Sequence, residues 1–163
     1  PYMGGGEMVG TVTFEKTTYA PLPMKFEAGT QNFASAATLK PAINIANKLN
    51  DNKLVENLDS IRDYLLDYFR KDERIRLYGV PRGTNEEKIP LFSFSVKGVH
   101  HEDLALILDK MGVAVRSGQM CAEPLMDRFG VTGMLRVSFA PYNTLEEAEY
   151  FVKCLNKAID MLL

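Results

Sequence analysis

The chain has 163 residues, enough for one domain with a substantial core or for a domain with an appendage. Its hydrophobic content of 46% is ordinary for a globular protein, and its net charge of −2 gives no reason to expect nucleic acid or a membrane as partner. Neither an apolar membrane-spanning run nor a secretory signal is visible in the sequence. Two widely spaced cysteines make neither a disulfide framework nor a zinc site, so we expect a reducing, cytoplasmic location and no metal.

The N-terminal segment, residues 1–32, has a composition different from the rest of the chain. A flexible glycine run at 4–6 precedes an alternating stretch at 9–14. A polar turn at 15–18 and a second extended piece at 24–26 complete the pattern of a β-hairpin. Two strands alone are barely stable in water, so this hairpin is expected to pack on something else.

The remaining residues, 33–163, alternate between helical and strand patterns. A helical composition predicts a helix over 34–49, and apolar spacings of three and four predict helices over 54–69, 104–111 and 145–162. A short strand is predicted at 75–78, before Gly79 and Pro81, and apolar residues at alternate positions predict strands at 91–96, 113–115 and 135–139. Pro41 marks a helix start or a kink, Gly112 ends a helix, and Thr144 is placed to cap the last one. This order predicts an α+β fold in which helices cover one face of a small, mainly antiparallel sheet.

The loop VAVRSGQMCAEPLM, residues 113–126, places one of the two cysteines between a strand and a helix. The neighbours of Cys121 are small or polar, so its thiol is not expected in the core. A reactive thiolate is favoured by a nearby cation or a helix N-terminus; Arg116 supplies the first, and a short helix beginning at Pro124 supplies the second. The alternative is that Cys121 only fills space in a turn.

Two other cysteine chemistries do not match the spacing. A phosphatase loop needs an arginine after Cys and five further residues, and that position holds Asp127. A thioredoxin-like C-x-x-C pair is absent. Cys154, inside the last helix, is predicted to be a buried structural residue.

Arg136 alternates with core residues in a strand, so its side chain should leave the opposite face of the sheet. It is either a solvated arginine or a clamp for a carboxylate. The pair His100–His101 opens a helix and is followed by acidic residues, the composition of a cap and a solvated first turn. We interpret the two histidines as structural.

Four segments together resemble the SufS-type cysteine desulfurases, within the class V branch of pyridoxal-phosphate-dependent, aminotransferase-like enzymes. They are PYMGGGEMV at 1–9, FEAGTQN at 26–32, VAVRSGQMCAEPLM at 113–126 and LRVSFAPYNTLEEAEYFVKCL at 135–155. They occur in the family's order and span nearly the whole chain. The resemblance implies the small C-terminal domain of a fold-type-I enzyme at 33–163, preceded by a glycine-rich segment and interface hairpin at 1–32.

The same resemblance implies roles for four residues. Cys121 corresponds to the nucleophile that removes the substrate sulfur as a persulfide. Arg136 corresponds to the arginine that binds the substrate carboxylate, with Arg116 assisting. Thr30 is similar to the residue that reaches the pyridoxal phosphate of the partner subunit in a homodimer.

The chain also departs from the family pattern. No His-Lys pair for the Schiff base is present, and the aspartate and histidine that hold the cofactor ring belong to a large domain that precedes the equivalent of Pro1. We therefore expect this chain to be the C-terminal part of the enzyme and inactive alone. Gln119 and Met120 stand where many relatives have two histidines, which leaves proton transfer at those positions open.

The resemblance implies a parent enzyme that converts L-cysteine to L-alanine and passes persulfide sulfur to an acceptor protein for iron–sulfur cluster assembly. A selenocysteine lyase or another class V enzyme is the nearest alternative, because the scaffold is shared. A non-catalytic module that docks partners or carries sulfur on Cys121 is the alternative from another class.

Overall fold

The computed structural model describes residues 1–50, 52–79, 85 and 88–163. The chain divides into two compact units, Pro1–Asn47 and Lys48–Leu163. The helices and strands are β1 (Val9–Val12), β2 (Thr17–Tyr19), α1 (Phe33–Leu49), α2 (Asn52–Lys71), β3 (Ile75–Tyr78), β4 (Leu91–Val96), α3 (His101–Lys110), β5 (Arg116–Gly118), α4 (Glu123–Phe129), β6 (Met134–Ser138) and α5 (Leu145–Leu162). The domain boundary that the sequence suggests after residue 32 stays a prediction.

The hairpin of the first unit consists of β1 and β2, paired antiparallel. Its turn is shorter than predicted, because Thr17 and Thr18 already belong to β2. Within this turn the Thr13 hydroxyl accepts from the N–H of Glu15 at 3.3 Å and from the N–H of Lys16 at 3.0 Å. The N–H of Thr13 donates to the carbonyl of Lys16. A threonine side chain thus closes the turn, for which the sequence pattern predicted only polar residues.

The predicted second strand at 24–26 is wrong. Met24–Phe26 forms a single 3-10 turn, in which the N–H of Phe26 donates to the carbonyl of Pro23. Pro21 and Pro23 have no N–H to give to a strand ladder, so this stretch cannot pair as a regular strand. The strand partner of β1 is therefore found upstream of the prolines.

Helix α1 confirms the prediction for 34–49, and Pro41 lies inside it. Asn32 caps its start, accepting from the N–H of Ser35 at 3.1 Å. No residue of α1 is buried. Large apolar side chains on this helix are exposed, namely Phe33, Leu39, Ile43 and Ile45.

The second unit contains a four-stranded antiparallel sheet in the order β3-β4-β6-β5. The antiparallel α+β prediction is confirmed. Alternate residues of the strands point toward α2, α3 and α5 and form the core, which includes Ile75, Phe92, Phe94, Leu135 and Val137 from the sheet and Ile61, Leu65, Phe69, Leu104, Leu108, Phe151 and Leu155 from the helices. The residues between them therefore lie on the opposite face of the sheet.

The predicted strand at 113–115 is shifted, because pairing begins only at Arg116. The end of α3 explains the shift. Gly112 has a φ of +78°, and the N–H of Val113 donates to the carbonyl of Leu108 at 2.9 Å. This hydrogen bond closes the helix C-terminus, so Val113 is not available to the sheet.

Helix α4 covers part of the face of the sheet that is turned away from α2, α3 and α5. The sequence predicted a helix layer on one face only, so α4 is an addition to it. Met126 of α4 packs with Tyr78 and Met134 in a second, smaller cluster. Phe129 completes this contact, with its ring centroid 4.8 Å from that of Tyr78. The sheet is thus covered by three helices on one face and by α4 on the other.

Helix α5 begins with the predicted cap. The Thr144 hydroxyl accepts from the N–H of Glu147, and the Glu147 carboxylate accepts from the N–H of Thr144, which is a capping box. Cys154 lies buried in this helix, as predicted. Of the helices in the described residues, none combines the length and apolar character needed to cross a membrane.

An ion-pair network joins the end of α2 to α5. Arg74 binds Asp72 at 2.8 Å and Asp160 at 2.9 Å, and it also donates to Asn156 at 2.7 Å. The Asp72 side chain is only 13% exposed, and its hydrogen bonds from Arg74 hold its pKa below the usual range. The network is therefore a partly buried electrostatic contact between two helices of the core layer.

We expect Asp72→Asn to lower the free energy of unfolding by about 1–3 kcal/mol at pH 7, because the charge-assisted bonds from Arg74 are lost. Since the pKa is lowered by folding, the wild-type contribution is present above the unfolded value of about 3.9 and is lost as the pH falls through the lower folded value. Urea unfolding at pH 7 and in acid measures both effects. Asp67→Asn, which removes an exposed pair with Lys71, is the control and should cost less than about 0.5 kcal/mol. Equal losses in the two variants would contradict this account.

Candidate active site

The pairing of β5 with β6 places two arginines opposite each other. Arg116 is the direct partner of Arg136, and Ser117 is the partner of Leu135. Because Leu135 points into the core, Arg116 and Arg136 lie together on the opposite face. The sequence predicted the face for Arg136, and the structure confirms it.

The two guanidinium groups are cations in adjacent strands. In the part of the chain that the structure describes, neither arginine forms an ion pair. Like charges directly opposite each other in an antiparallel pair destabilise it. A bound carboxylate would relieve this repulsion, and an arginine fork matches the geometry of a carboxylate.

The Cys121 loop begins where β5 ends. Gly118 has a φ of +111°, and Met120 and Cys121 have φ values of 57° and 59°. A left-handed conformation is costly for residues with a Cβ, and two of them in succession require support from their surroundings. Ser117 and Gly118 are the last residues of β5, so the loop starts at Gln119.

The loop is closed by local hydrogen bonds. The N–H of Ala122 donates to the carbonyl of Gln119 at 3.0 Å, and the Gln119 side chain donates to Glu123 at 3.3 Å. Cys121 at the tip is exposed, as predicted. Helix α4 follows at once, with Pro124 in its first turn, which confirms the predicted short helix.

A cavity of about 350 Å³ lies on the sheet face that carries the arginines. Arg136 lines it, together with Met120 and Ala122, the two neighbours of Cys121. Met126 and Met134 form part of its apolar wall. A cation and the cysteine loop therefore border one cavity with a largely apolar lining.

Lys88 also lines this cavity, and sequence reasoning did not single it out. Burial lowers the pKa of its amine. In the sequence, Lys88 ends a charged loop and looks like any solvated lysine, so no local signal marks it. Only the tertiary structure brings it to the face of the sheet that carries Arg136.

In the first unit, the glycine run meets the segment that precedes Thr30. The N–H of Gly29 donates to the carbonyl of Gly6 at 2.9 Å, and a Cβ on Gly5 would lie 3.4 Å from that of Ala28. Gly29 has a φ of +75°, and Thr30 is exposed just after it. The sequence segments 1–9 and 26–32 are thus joined in space.

The described residues do not form a complete site for pyridoxal phosphate. For a phosphate they offer the exposed hydroxyl of Thr30, which belongs to one unit, whereas Cys121, Arg116 and Arg136 belong to the other. The described residues of the second unit therefore present two arginines and an exposed thiol.

The histidine pair differs from its prediction in one respect. His100 caps α3, accepting from the N–H of Glu102 at 3.4 Å, as expected for a structural residue. His101 is not solvated. Its side chain is buried, and its Nδ1 lies 2.9 Å from the Ser117 hydroxyl of β5.

The sequence pattern of the family described as Aminotransferase class-V matches residues 1–151 of the chain. A probable cysteine desulfurase of Vibrio cholerae serotype O1 is 41% identical over 162 residues, which cover 99% of this chain and 39% of that protein. The cysteine desulfurase CsdA of Escherichia coli is 35% identical over 163 residues, which cover 100% of this chain and 39% of that protein. The chain thus spans about two fifths of the length of these relatives.

Solved structures give the same result for the fold. The crystal structure of the cysteine desulfurase CsdA (S-sulfonic acid) from Escherichia coli superposes with a TM-score of 0.82 and covers 100% of this chain and 39% of the other. The apo cysteine desulfurase from Thermococcus onnurineus NA1 superposes with a TM-score of 0.76 at 31% identity, covering 99% and 39%. The family and fold expected from the four sequence segments are confirmed.

Proposed function

The chain belongs to the class V aminotransferase family, whose enzymes depend on pyridoxal phosphate, and on that premise we propose that it is part of an L-cysteine desulfurase. Cys121 is the sulfur-accepting nucleophile of this proposal. Arg136 and Arg116 bind the substrate carboxylate. The likeness to cysteine desulfurases over 99% of the chain supports the choice within the family.

The proposed reaction transfers one sulfur atom. The Cys121 thiolate forms a bond with the sulfur of L-cysteine, and the bond between that sulfur and the substrate Cβ breaks. The substrate leaves as L-alanine after its carbon takes up a proton, and Cys121 keeps the sulfur as a persulfide. The atoms balance without an added oxidant or reductant.

The observation that carries this proposal is the shared position of the two arginines and the cysteine loop. Arg116 and Arg136 are opposite partners on the face of β5 and β6 that is turned away from the core, and Cys121 lies on the loop that continues from β5. The neighbours of Cys121 line the same cavity as Arg136. A carboxylate on the arginines would leave the rest of a small amino acid near the cysteine loop, which is the order a sulfur transfer needs.

Exposure of Cys121 agrees with its second task, the release of sulfur to another protein. A buried thiol could form a persulfide but could not pass it on. We propose an acceptor protein of the iron–sulfur assembly machinery as the recipient. The left-handed backbone at Met120 and Cys121 keeps the thiol at the tip of the loop, where an acceptor thiol can reach it.

Pyridoxal phosphate, when bound by the parent enzyme, supplies the electron sink for breaking the carbon–sulfur bond. We propose that Thr30 donates its hydroxyl to the cofactor phosphate of the partner subunit in a homodimer. Its exposed position beside Gly29 and the exposed apolar residues Val12 and Phe14 of the hairpin support a contact surface there. Light scattering of the full-length parent enzyme tests the dimer, and a monomer would contradict it.

In the full-length parent enzyme, we expect Cys121→Ala to lower alanine production from L-cysteine by roughly a thousandfold, because the nucleophile is gone. Pyridoxal phosphate absorbance should stay unchanged, since the cofactor is held by other residues. The assay measures alanine with a reductant present. Normal turnover in Cys121→Ala would refute the role of this cysteine.

Cys154→Ala is the matched control, because it removes the other cysteine from a buried helical site. It should leave turnover within about twofold and lower only stability, by about 1 kcal/mol for a small buried side chain. A lost activity in well-folded Cys154→Ala would contradict the assignment of the two cysteines.

Arg136→Ala should lower kcat/KM for L-cysteine by about 10- to 150-fold, mainly through KM, because a charge-assisted bond to the carboxylate is worth about 1.5–3 kcal/mol. Arg76→Ala is the control. It removes a cation from the far edge strand of the same sheet, where Arg76 lies over the Tyr78 ring. Equal kinetic effects of the two substitutions would remove Arg136 from the substrate site.

A further inference from the structure

His101 is a buried polar residue at the start of a helix, a place where most side chains are solvated. The residue is 9% exposed. The ring nitrogen Nδ1 lies 2.9 Å from the hydroxyl of Ser117, sixteen residues along the chain. This hydrogen bond ties the first turn of α3 to the middle of strand β5.

The other side of the imidazole ring is in contact with Gly133. A Cβ built at this position would overlap the ring atoms Nε2, Cε1 and Cδ2. Gly133 is buried and directly precedes β6. A glycine is therefore required here by the close approach of the ring, and His101 touches both β5 and the entry to β6.

These two strands carry the candidate active site on their other face. Ser117, the hydrogen-bond partner of His101, lies between Arg116 and Gly118 in β5. Gly118 pairs with Met134 of β6. Because successive side chains of a strand point to opposite faces, Ser117 reaches the helix layer while Arg116 reaches the site. A bond on the helix side thus holds the backbone that presents the arginine.

Strand β5 is also the root of the Cys121 loop. It has only three residues, and the left-handed residues Met120 and Cys121 follow within the next three. A strained loop keeps its shape only when its ends are held firmly. Among the described residues, only His101 forms a side-chain hydrogen bond to a side chain of β5.

We propose that His101 is a positioning residue for sulfur transfer: through Ser117 and Gly133 it holds β5 against β6, and so places Cys121 relative to the substrate bound by Arg136. This inference rests on the proposed desulfurase function. The contacts of His101 with Ser117 and Gly133 lie on the helix side of the sheet, opposite the arginines. His101 acts on the chemical step through the backbone that carries the nucleophile.

The electrostatic surroundings suit a neutral ring in this role. Burial lowers the pKa of His101, and the neighbouring His100 lowers it further, whereas Glu102 and Asp103 act in the opposite direction. A neutral imidazole has one donor and one acceptor nitrogen, and a hydroxyl can serve as partner to either. The bond to Ser117 is therefore compatible with both tautomers.

Two substitutions separate the hydrogen bond from the mere presence of a polar side chain. His101→Asn keeps a polar atom near the place of Nδ1, whereas His101→Gln moves it toward the place of Nε2. In the full-length parent enzyme, His101→Gln should lower kcat about tenfold and change KM less than about twofold, because the nucleophile is displaced while the carboxylate site is kept. His101→Asn should restore kcat to within about threefold of wild type.

His100→Gln is the matched control. His100 is the neighbouring histidine, its ring stacks on that of His101 at 4.4 Å between centroids, and it makes no hydrogen bond to β5 among the described residues. It should leave kcat and KM unchanged. Ser117→Ala should reproduce the loss in His101→Gln, and the double variant should lose no more than either single one, because both remove one bond.

Hydrogen exchange of the peptide 116–122 gives a measurement that does not depend on activity. It should be about tenfold faster in His101→Gln than in wild type and unchanged in His100→Gln, because the root of the loop opens more often. Unchanged exchange and kcat in a folded His101→Gln enzyme would overturn the proposal. So would equal losses in His101→Asn and His101→Gln, which would indicate a purely structural role.

Different results would contradict the desulfurase function and the positioning role of His101. If wild-type parent enzyme makes no alanine from L-cysteine, the proposed function fails, and the exchange result still decides whether His101 holds the loop. If wild type is active and the His101 variants match it in kcat and exchange, the proposed function stands and the positioning role is wrong.

Discussion

The pairing of β5 with β6 is the constraint on which the candidate site depends. It sets Arg116 opposite Arg136, and it starts the loop that ends in Cys121. A shift of β5 by one residue along β6 would turn Arg116 into the helix layer and Ser117 out of it. The buried residues Leu135 and Val137 fix which face of β6 meets the helices, and so keep Arg136 on the opposite face. Core packing thus determines where the charged groups of the site point.

The site combines features that lower stability with features that restore it. Two arginines face each other without a described counterion, and two residues with side chains take left-handed backbone in succession. Both are costly in a free chain. The buried contact of His101 with β5, the second apolar cluster around Met126 and the hydrogen bonds within the loop hold this region in place. Local strain at a site supported by its surroundings is typical of functional positions.

Much of the fold was predictable, since long periodic segments dominate the chain. The helices α2 and α5 and the strands β3, β4 and β6 follow their apolar patterns closely. Errors occurred in short segments whose conformation is set by other features of the chain. At 24–26 two nearby prolines disfavour a strand, and the segment forms a 3-10 turn. The hydrogen bond from Val113 to α3 makes β5 begin later than predicted. Alternation of apolar residues does not show that the N–H of the first of them is already bonded to the preceding helix.

The site was predictable in its residues but not in its arrangement. The sequence marks Cys121 as an unusual loop cysteine and places Arg136 on the outer face of a strand. It does not reveal that Arg116 is the cross-strand partner of Arg136, because that depends on the register of a three-residue strand. Nor does it identify Lys88 or the buried His101, whose environments come from residues distant in the chain. Pairing and burial, not residue type, supply this information.

The most direct test of the central claim is the mass of the Cys121 peptide after the full-length parent enzyme has reacted with L-cysteine in the absence of a reductant. The account predicts a gain of one sulfur atom on this peptide, which dithiothreitol removes, and no gain on the Cys154 peptide. Alanine formation with the added sulfur on another cysteine, or with none on Cys121, would contradict it.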